Sequence, residues 1–403
     1  MKTSKILGIA SAFAILASTI YADSTVRFWY HFDNADNPMD ELVTKFEAEN
    51  PGIKIDVENI PWNSYYDQLY TSIVGGNAPD AAMVKLFAQP RLIELGALQP
   101  IDGYIASWDG AANIEDGLID LVKGGDGTQY YLPVQYVALY LYYRADMLAE
   151  LNLEVPTTCS EFREVAKALT RDTDGDGQID VYGFGFRGAK GGHDHWGTFV
   201  LGARNVSLSD GITSDAGVAG TQFVADLFQK DKVFPPSAPN DGFKEIIGAF
   251  KSGRTAMTIH HIGSANGMVE ALGDKVSAAP VPVCGGGSWT AFGDESTAVF
   301  SSAEDPDAAF KWISFLSSEG NNTMFNKATG QLPVVKDDAA NWTLHPARFV
   351  EATQDSVPAA QLLPSSSATS DFVNTVWPTN MQRVLIGDIS AEEMNANIEA
   401  LFK

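Results

Sequence analysis

Strand and helix signals alternate through the first 85 residues of the chain. The sequence predicts a buried strand over residues 26–30, an alternating strand over residues 53–57 and a short apolar strand over residues 81–84. Asn37 and Pro38 open a helix whose apolar residues recur at helical spacing. This βαβαβ order favours a mainly parallel sheet, in which ligands bind beyond the carboxyl ends of the strands.

The length of the chain predicts more than one domain. It has 403 residues, whereas a single hydrophobic core seldom grows beyond ~250–300 residues. The composition is that of an ordinary globular protein, and no short repeat interrupts it. We therefore expect two α/β domains.

The first two dozen residues have the order of a secretory signal. Lys2 and Lys5 precede an apolar stretch over residues 6–20, and small Ala22 follows shortly after. The stretch is shorter than the ~20 apolar residues that a membrane-spanning helix needs. We expect residues 1–22 to be a signal peptide, with a retained membrane anchor as the alternative. The residue after Ala22 is not cysteine, so no lipid anchor is expected.

The charge balance excludes two classes of partner. The chain has 27 basic and 51 acidic residues, a formal net charge of −24. Nucleic acids and anionic membranes both require a basic surface. We therefore expect neither partner, whereas a small polar ligand is compatible with this charge.

The chain contains two cysteines, Cys159 and Cys284. An oxidising compartment would permit a disulfide, but the spacing does not show that the two side chains meet. We expect both cysteines to be buried and unpaired, with a disulfide as the alternative.

Short motifs along nearly the whole chain resemble those of one protein family. In order, they read FEAENPGIK (46–54), PWNSYY (61–66), GNAPD (76–80), LGAL (95–98), YLPV (131–134), LYYR (141–144), PDAAFKW (306–312) and TGQLPV (329–334). Each motif alone is weak, but their shared order and spacing are specific. The chain resembles the family 1 extracellular solute-binding proteins of ATP-binding-cassette (ABC) importers, the group that includes maltose-binding and other sugar-binding proteins.

The resemblance implies an α/β fold of the type II-like periplasmic binding protein class, with two discontinuous lobes joined by hinge crossings. Lobe I would contain residues 23–135 and 300–345, and lobe II residues 136–299 and 346–403. The ligand would lie in the cleft between the lobes, which close around it by a hinge motion.

The resemblance also implies a transport function rather than catalysis. A monomeric periplasmic protein would capture a mono- or oligosaccharide or a glycoside and deliver it to the permease subunits in the inner membrane, with no required cofactor. Lys85, Arg187 and the histidines leave an acidic sugar or a polyol phosphate as the alternative ligand. An exported glycan-active enzyme is the competing class, but no recognisable catalytic carboxylate pair, nucleophile elbow or zinc helix motif supports it. A receptor that serves a chemotaxis sensor would share the same cleft.

Candidate ligand contacts are residues that follow predicted strands or lie beside the crossings. Aromatic rings suit the apolar faces of a sugar, and hydrogen-bonding groups suit its hydroxyls. The candidates are His31, Phe32, Asp33, Trp62, Lys85, Phe87, Gln135, Tyr136, Arg187, His195, Trp196, His260, His261 and Trp289. Trp289 is favoured because a glycine-rich loop seldom carries a buried tryptophan. Structural roles are the alternative for each, and the group His193-Asp194-His195 lacks a third ligand at the spacing typical of a transition metal.

An acidic segment, DTDGDGQID over residues 172–180, matches the first nine positions of an EF-hand calcium loop. The candidate calcium ligands are Asp172, Asp174, Asp176, Gln178 and Asp180. Position twelve is Gly183, where the usual loop has a bidentate glutamate. We expect a structural calcium ion or, alternatively, an acidic turn without metal.

Overall fold

The computed structural model describes residues 24–32, 37–203 and 205–403. The predicted signal peptide over residues 1–22 and the candidate ligand contact Asp33 lie outside the described residues. Within the described ranges, no helix combines the length and the apolar character needed to cross a bilayer.

The chain alternates between strands and helices throughout. The strands are β1 (Ser24–Tyr30), β2 (Ile53–Asn59), β3 (Ala81–Val84), β4 (Tyr131–Arg144), β5 (Met257–His261), β6 (Val276–Ala279), β7 (Thr290–Val299), β8 (Leu332–Pro333) and β9 (Ala360–Gln361). The α-helices are α1 (Met39–Glu49), α2 (Trp62–Val74), α3 (Gln89–Glu94), α4 (Asp102–Ser107), α5 (Leu118–Leu121), α6 (Ala145–Glu150), α7 (Cys159–Leu169), α8 (His193–Val200), α9 (Asp215–Gln229), α10 (Phe243–Lys251), α11 (Ala265–Leu272), α12 (Pro306–Leu316), α13 (Asn321–Thr329), α14 (Lys336–Ala340), α15 (Ala347–Ser356), α16 (Ser367–Asp371), α17 (Trp377–Leu385) and α18 (Ala391–Phe402).

The predicted βαβαβ opening is confirmed. Helix α1 starts where the side-chain oxygen of Asn37 accepts a hydrogen bond from the backbone N–H of Met39 at 3.0 Å. Met39, Leu42 and Phe46 recur at helical spacing and are buried. The helix ends before Pro51, which cannot continue it. Strand β1 then pairs in parallel with β2 on one side and β3 on the other, so the carboxyl ends of all three strands meet at one edge.

Two long antiparallel strands, β4 and β7, connect the two halves of the molecule. The first half of β4 and the second half of β7 join the parallel sheet, where β7 pairs with β3. The second half of β4 pairs with β5 and β6. The resulting strand order is β2-β1-β3-β7-β4-β5. The register of the β4–β7 pair shifts between Pro133 and Gln135, next to residue 135, where the first segment of lobe I was expected to end.

The apolar side chains form separate clusters, as expected for two lobes. The largest draws on buried residues between 137 and 398, including Trp196 and Trp377. Two further clusters cover the parallel sheet, one around Phe28 and Trp312 and the other around Tyr65. This arrangement is the predicted two-lobed α/β fold. The residue boundaries given above for the lobes stay a prediction.

Cys159 and Cys284 form a disulfide, so the prediction of two unpaired cysteines was wrong. The two Cα atoms lie 5.2 Å apart although 125 residues separate the cysteines in the sequence. A backbone bridge between Thr158 and Val283 brings them together, and the N–H of Cys159 donates to the carbonyl of Val283 at 3.0 Å. Sequence spacing could not show this pairing because it depends on two distant segments lying side by side.

Candidate functional site

A cavity of about 250 Å³ lies between the two halves of the molecule. Residues at the carboxyl ends of β1 and β3, the start of α2 and the middle of β4 and β7 form one part of its wall, and residues 187–195 and 260–263 form much of the rest. The predicted contacts that line it are His31, Phe32, Trp62, Lys85, Phe87, Gln135, Arg187, His195, His260 and His261. Their contact with a ligand stays a prediction.

An aromatic wall covers one side of the cavity. The ring of Trp62 lies 4.9 Å from that of His31 and 6.3 Å from that of Phe87, between ring centres. Tyr66 supports this wall from behind, with its ring centre 4.7 Å from that of Phe87. The ammonium group of Lys85 lies 5.4 Å from the centre of the Trp62 ring. Such rings offer apolar faces that suit the C–H surface of a small organic ligand.

Glu295 is a buried carboxylate in the cavity wall that the sequence reasoning missed. It forms an ion pair with Lys85, and its Oε2 lies 3.3 Å from Nε2 of His31. Burial alone would raise the pKa of Glu295, but the positive charge of Lys85 and the contact with His31 together hold it below its ordinary value. Glu295 therefore stays ionised and neutralises Lys85. The sequence predicts contacts after strands and beside the crossings, whereas Glu295 lies inside β7 opposite Gln135 of β4.

His195 lies at the base of the cavity with both ring nitrogens bonded to backbone groups. Its Nδ1 accepts a hydrogen bond from the N–H of Arg187 at 3.2 Å, and its Nε2 lies 2.8 Å from the carbonyl oxygen of Ile259. These partners fit a neutral ring with the proton on Nε2. Burial, reinforced by the nearby charge of Arg187, lowers the pKa of His195 to about 3. The ring therefore links the backbone of Arg187 to strand β5 and is also a part of the wall.

His260 and His261 end β5 with their ring centres 4.1 Å apart. Nδ1 of His260 lies 2.9 Å from the hydroxyl of Ser264, and Nδ1 of His261 accepts from the N–H of Gly263 at 3.1 Å. Burial lowers the pKa of His261 to about 3 and that of His260 well below its ordinary value. Both rings are thus neutral near pH 7. In His261 the proton then resides on Nε2, which makes that nitrogen a hydrogen-bond donor.

Two predicted tryptophan contacts lie in the core instead of the cavity. Trp196 is completely buried, and its Nε1 donates to the hydroxyl of Thr221 at 3.0 Å. Trp289 is only 3% exposed. Its ring packs against Gly197 of α8, where a Cβ would overlap the ring. The glycine-rich loop did not indicate exposure. The ring of Trp289 fits into the core because Gly197, on a distant helix, has no side chain to exclude it.

Tyr136 also lies away from the cavity. Successive side chains of a strand point to opposite faces, and Gln135 lines the cavity whereas Tyr136 does not. The ring of Tyr136 instead stacks on Phe292, itself a wall residue, with ring centres 6.3 Å apart. The sequence placed both residues at the crossing but could not assign the face of each. Further wall residues that the sequence reasoning missed come from distant segments: His193, Asp194, Phe243, Thr329, Gln331, Gln361 and Leu363.

The acidic segment over residues 172–180 lies outside the cavity as an exposed turn. Carboxylate oxygens of Asp172, Asp174 and Asp176 lie within 4.8 Å of one another. The carboxylate of Asp172 accepts hydrogen bonds from the N–H groups of Gly175 and Gly177, both at 2.7 Å. Three of the five candidate calcium ligands therefore converge.

The other two candidates have partners within the turn. The side chain of Gln178 donates to Asp176 at 3.0 Å, and Asp180 accepts from the backbone and the hydroxyl of Thr173 at 2.7 and 2.6 Å. Position twelve is glycine for a packing reason, because a Cβ at Gly183 would overlap the backbone of Ala166. A glutamate at that position is thus incompatible with this fold.

A two-lobed α/β fold with a ligand-sized cavity between its halves defines a binding protein of the periplasmic receptor class. The chain belongs to the family of bacterial extracellular solute-binding proteins, because its residues 33–323 match the sequence pattern of that family. A putative binding protein of Brucella abortus is 26% identical over 342 residues, which cover 82% of each chain. The mannitol-binding protein of Pseudomonas aeruginosa is 26% identical over 245 residues, or 55% of this chain and 51% of that protein.

Solved structures share the fold over nearly the whole chain. An ABC substrate-binding protein of Listeria monocytogenes in complex with cycloalternan has a TM-score of 0.81 at 22% identity, covering 94% of this chain and 97% of that one. A solute-binding protein of Thermotoga lettingae bound with α-D-tagatose has a TM-score of 0.80 at 23% identity, covering 94% and 100%. At these identities the comparison establishes the architecture.

Proposed function

We propose that this protein captures a sugar in the cavity between its lobes and delivers it to the membrane permease of an ABC importer. The observation that carries the proposal is the composition of the cavity wall. Trp62 and Phe87 present aromatic surface from one lobe, while Arg187 and His261 supply hydrogen-bond donors from the other. A sugar combines apolar C–H faces with a rim of hydroxyls, so it can use both surfaces at once.

The size of the cavity favours a small ligand. Its volume of about 250 Å³ lies just below the range of ~300–1,000 Å³ that is typical of small-molecule sites. The mannitol and tagatose in the names of the relatives above are ligands of this scale. A monosaccharide or short oligosaccharide therefore fits the proposal better than a long glycan.

Binding without catalysis agrees with the state of the acidic groups in the wall. A glycosidase needs two carboxyl groups that flank the scissile bond, one of them usually protonated. Glu295 is bound by Lys85 and His31, and Asp194 lies 3.2 Å from His193. Glu295, whose pKa is held below its ordinary value by these partners, is therefore not available as the acid. Residues 1–22 would direct the export of the protein. It would then act as a monomer in the periplasm.

Thermal unfolding in the presence of a ligand panel tests the proposal. Because a ligand that binds only the folded protein stabilises it by mass action, a sugar at 100 times its Kd should add about 2.7 kcal/mol to the free energy of unfolding. We expect mono- and disaccharides to raise Tm, and amino acids and peptides to leave it unchanged. A shift with amino acids or peptides alone would refute the sugar assignment.

Replacement of Trp62 in the aromatic wall tests whether this residue contributes to sugar affinity. Trp62→Ala should weaken sugar affinity by roughly 10-fold or more, since it removes a stacking surface. Trp108→Ala is the matched control because Trp108 is another half-buried tryptophan that packs outside the cavity. Equal affinities of the two variants in titration calorimetry would exclude Trp62 from the site.

A further inference from the structure

The positively charged guanidinium group of Arg187 lies in the cavity wall and makes no direct contact with an anionic group of the described residues. Among the residues that the structure describes, none forms an ion pair with its guanidinium group or accepts a hydrogen bond from it, and its Nε is buried without a partner. The side chain lies over Gly191, where a Cβ would come within 2.5 Å of the guanidinium carbon. Gly191 thus leaves room for a planar group at the cavity surface.

Among the other charged groups of the wall, Lys85 and Glu295 neutralise each other. Asp194 contacts His193. Burial lowers the pKa of His193, His195, His260 and His261, so these rings add no positive charge near neutral pH. Burial also lowers the pKa of Arg187, while Asp194 and Glu245 act in the opposite direction. An arginine nevertheless stays protonated in proteins, so Arg187 is left as a charge that no direct contact compensates within the described part of the wall.

A buried, uncompensated charge is costly unless a partner of opposite sign satisfies it. We infer that the ligand supplies this partner as a carboxylate, and that the sugar captured by the proposed function is a uronic acid or a short uronide whose carboxylate binds Arg187. The planar guanidinium fork matches a carboxylate through two parallel hydrogen bonds. This inference rests on the proposed sugar site and narrows its substrate class.

A singly charged carboxylate fits the cavity better than a phosphate. A phosphate monoester carries up to two negative charges near neutral pH, and Lys85 is already engaged by Glu295. Asp194 in the same wall repels an anionic ligand, and it repels a doubly charged phosphate more strongly than a singly charged carboxylate. A uronate brings one negative charge for the one cation of the wall that has no direct anionic contact.

The inference can be tested on the wild-type protein with ligands that differ only in their acid group. We would measure the affinities of galacturonate, glucuronate and mannuronate, each beside its methyl ester, its parent hexose and its hexose phosphate, by titration calorimetry. At least one uronate should bind about 100-fold more tightly than its ester and its parent hexose. Tighter binding of a neutral sugar or a sugar phosphate would overturn the inference and leave the proposed sugar capture intact. If no sugar of any kind binds, the proposed function itself fails.

Substitutions of Arg187 test whether its side chain binds the carboxylate of the ligand. Arg187→Gln should weaken uronate binding by roughly 100-fold, and Arg187→Lys should restore only part of it, because an ammonium group lacks the planar fork. Arg171→Gln removes a cation that is paired with Glu150 on the surface and should leave affinity unchanged. The ratio of acid to ester affinity is the decisive readout, since a merely structural role of Arg187 would weaken both ligands equally. An unchanged ratio in Arg187→Gln would overturn the inference.

Discussion

His195 shows how a single residue joins the stability of the second lobe to the shape of the cavity. Its ring accepts a hydrogen bond from the N–H of Arg187 and donates one to the carbonyl of Ile259, so it holds the backbone of Arg187 against the middle of β5. Protonation would add a second N–H where the ring must accept, which is why burial and these partners favour the neutral form.

The low pKa of His195 predicts a loss of stability on mild acidification. In the unfolded chain the ring takes up a proton near pH 6.5, whereas in the folded protein its pKa is about 3. The unfolded state therefore binds more protons between these values, and the stabilising contribution falls as the pH drops below ~6.5. Between pH 7.5 and pH 5 this residue alone should cost about 2 kcal/mol.

Urea unfolding of the wild type and His195→Gln at both pH values measures this effect. The stability gap between the two proteins should shrink by about 2 kcal/mol at pH 5, because glutamine does not titrate. Phe199→Leu, a core change on the same helix without a titratable group, should keep a constant gap. A constant gap for His195→Gln as well would show that its ring titrates alike in both states.

For single residues, the sequence predicted which residue types occur at the site better than it predicted where their side chains point. Trp62 and Lys85 follow strands, and the structure places both at the cavity. Glu295 was missed because its partners, Lys85 and His31, lie more than 200 residues earlier in the chain. Trp289 was misplaced because its burial depends on Gly197 in another segment. Each failure concerns packing between distant segments, which local pattern does not contain.

Elements with strong local signals were predictable. Strands β1 to β3 and helix α1 follow from alternation, helical spacing and the Asn37 cap. Strands β8 and β9, by contrast, have two residues each and exist only through pairing with β4 and β7. No periodicity can be read from two residues, so such strands emerge only from the assembled fold.

The acidic turn over residues 172–180 is the element for which we propose a structural calcium ion. Three carboxylates converge there, but Gly183 provides no twelfth-position ligand. We therefore expect weak affinity, in the range of ~10⁻⁴–10⁻³ M known for extracellular calcium sites. At 10 mM calcium the free energy of unfolding should rise by roughly 1.5–3 kcal/mol.

Thermal shift and equilibrium dialysis with calcium test this site. The double variant Asp174→Asn/Asp176→Asn should lose the stabilisation, whereas Asp56→Asn, an exposed acid in β2, should retain it. Magnesium at the same concentration should have a smaller effect, since it needs stricter octahedral geometry. Absence of both calcium uptake and a calcium-dependent Tm shift in the wild type would refute the proposal.

The whole molecule was predictable as an architecture because family motifs occur in order along nearly the entire chain. The disulfide between Cys159 and Cys284 was not, since it depends on the meeting of segments 125 residues apart. The contacts between α2 and the second lobe were also not predictable from the sequence. One face of α2, formed by Asn63, Asp67 and Tyr70, meets residues from the second lobe.

These contacts predict how the cleft closes. The hydroxyl of Tyr70 lies 2.6 Å from that of Ser370, and Nζ of Lys190 lies 3.3 Å from the carbonyl of Asn63. Neither Tyr70 nor Lys190 lines the cavity, so their loss should act on the population of the closed form and not on ligand contacts. Because a typical hydrogen bond contributes ~0.5–1.5 kcal/mol, Tyr70→Phe should weaken apparent affinity by about 2- to 10-fold.

Small-angle scattering and calorimetry on the same samples check this prediction. Without ligand, Tyr70→Phe should have a larger radius of gyration than the wild type, and saturating sugar should remove the difference by restoring closure. Tyr104→Phe is the matched control because its hydroxyl donates to Asp307 at 2.7 Å within the first lobe. If Tyr70→Phe and Tyr104→Phe have equal affinities and radii, the contacts along α2 do not control closure, and the energy that holds the lobes together must come from the ligand itself.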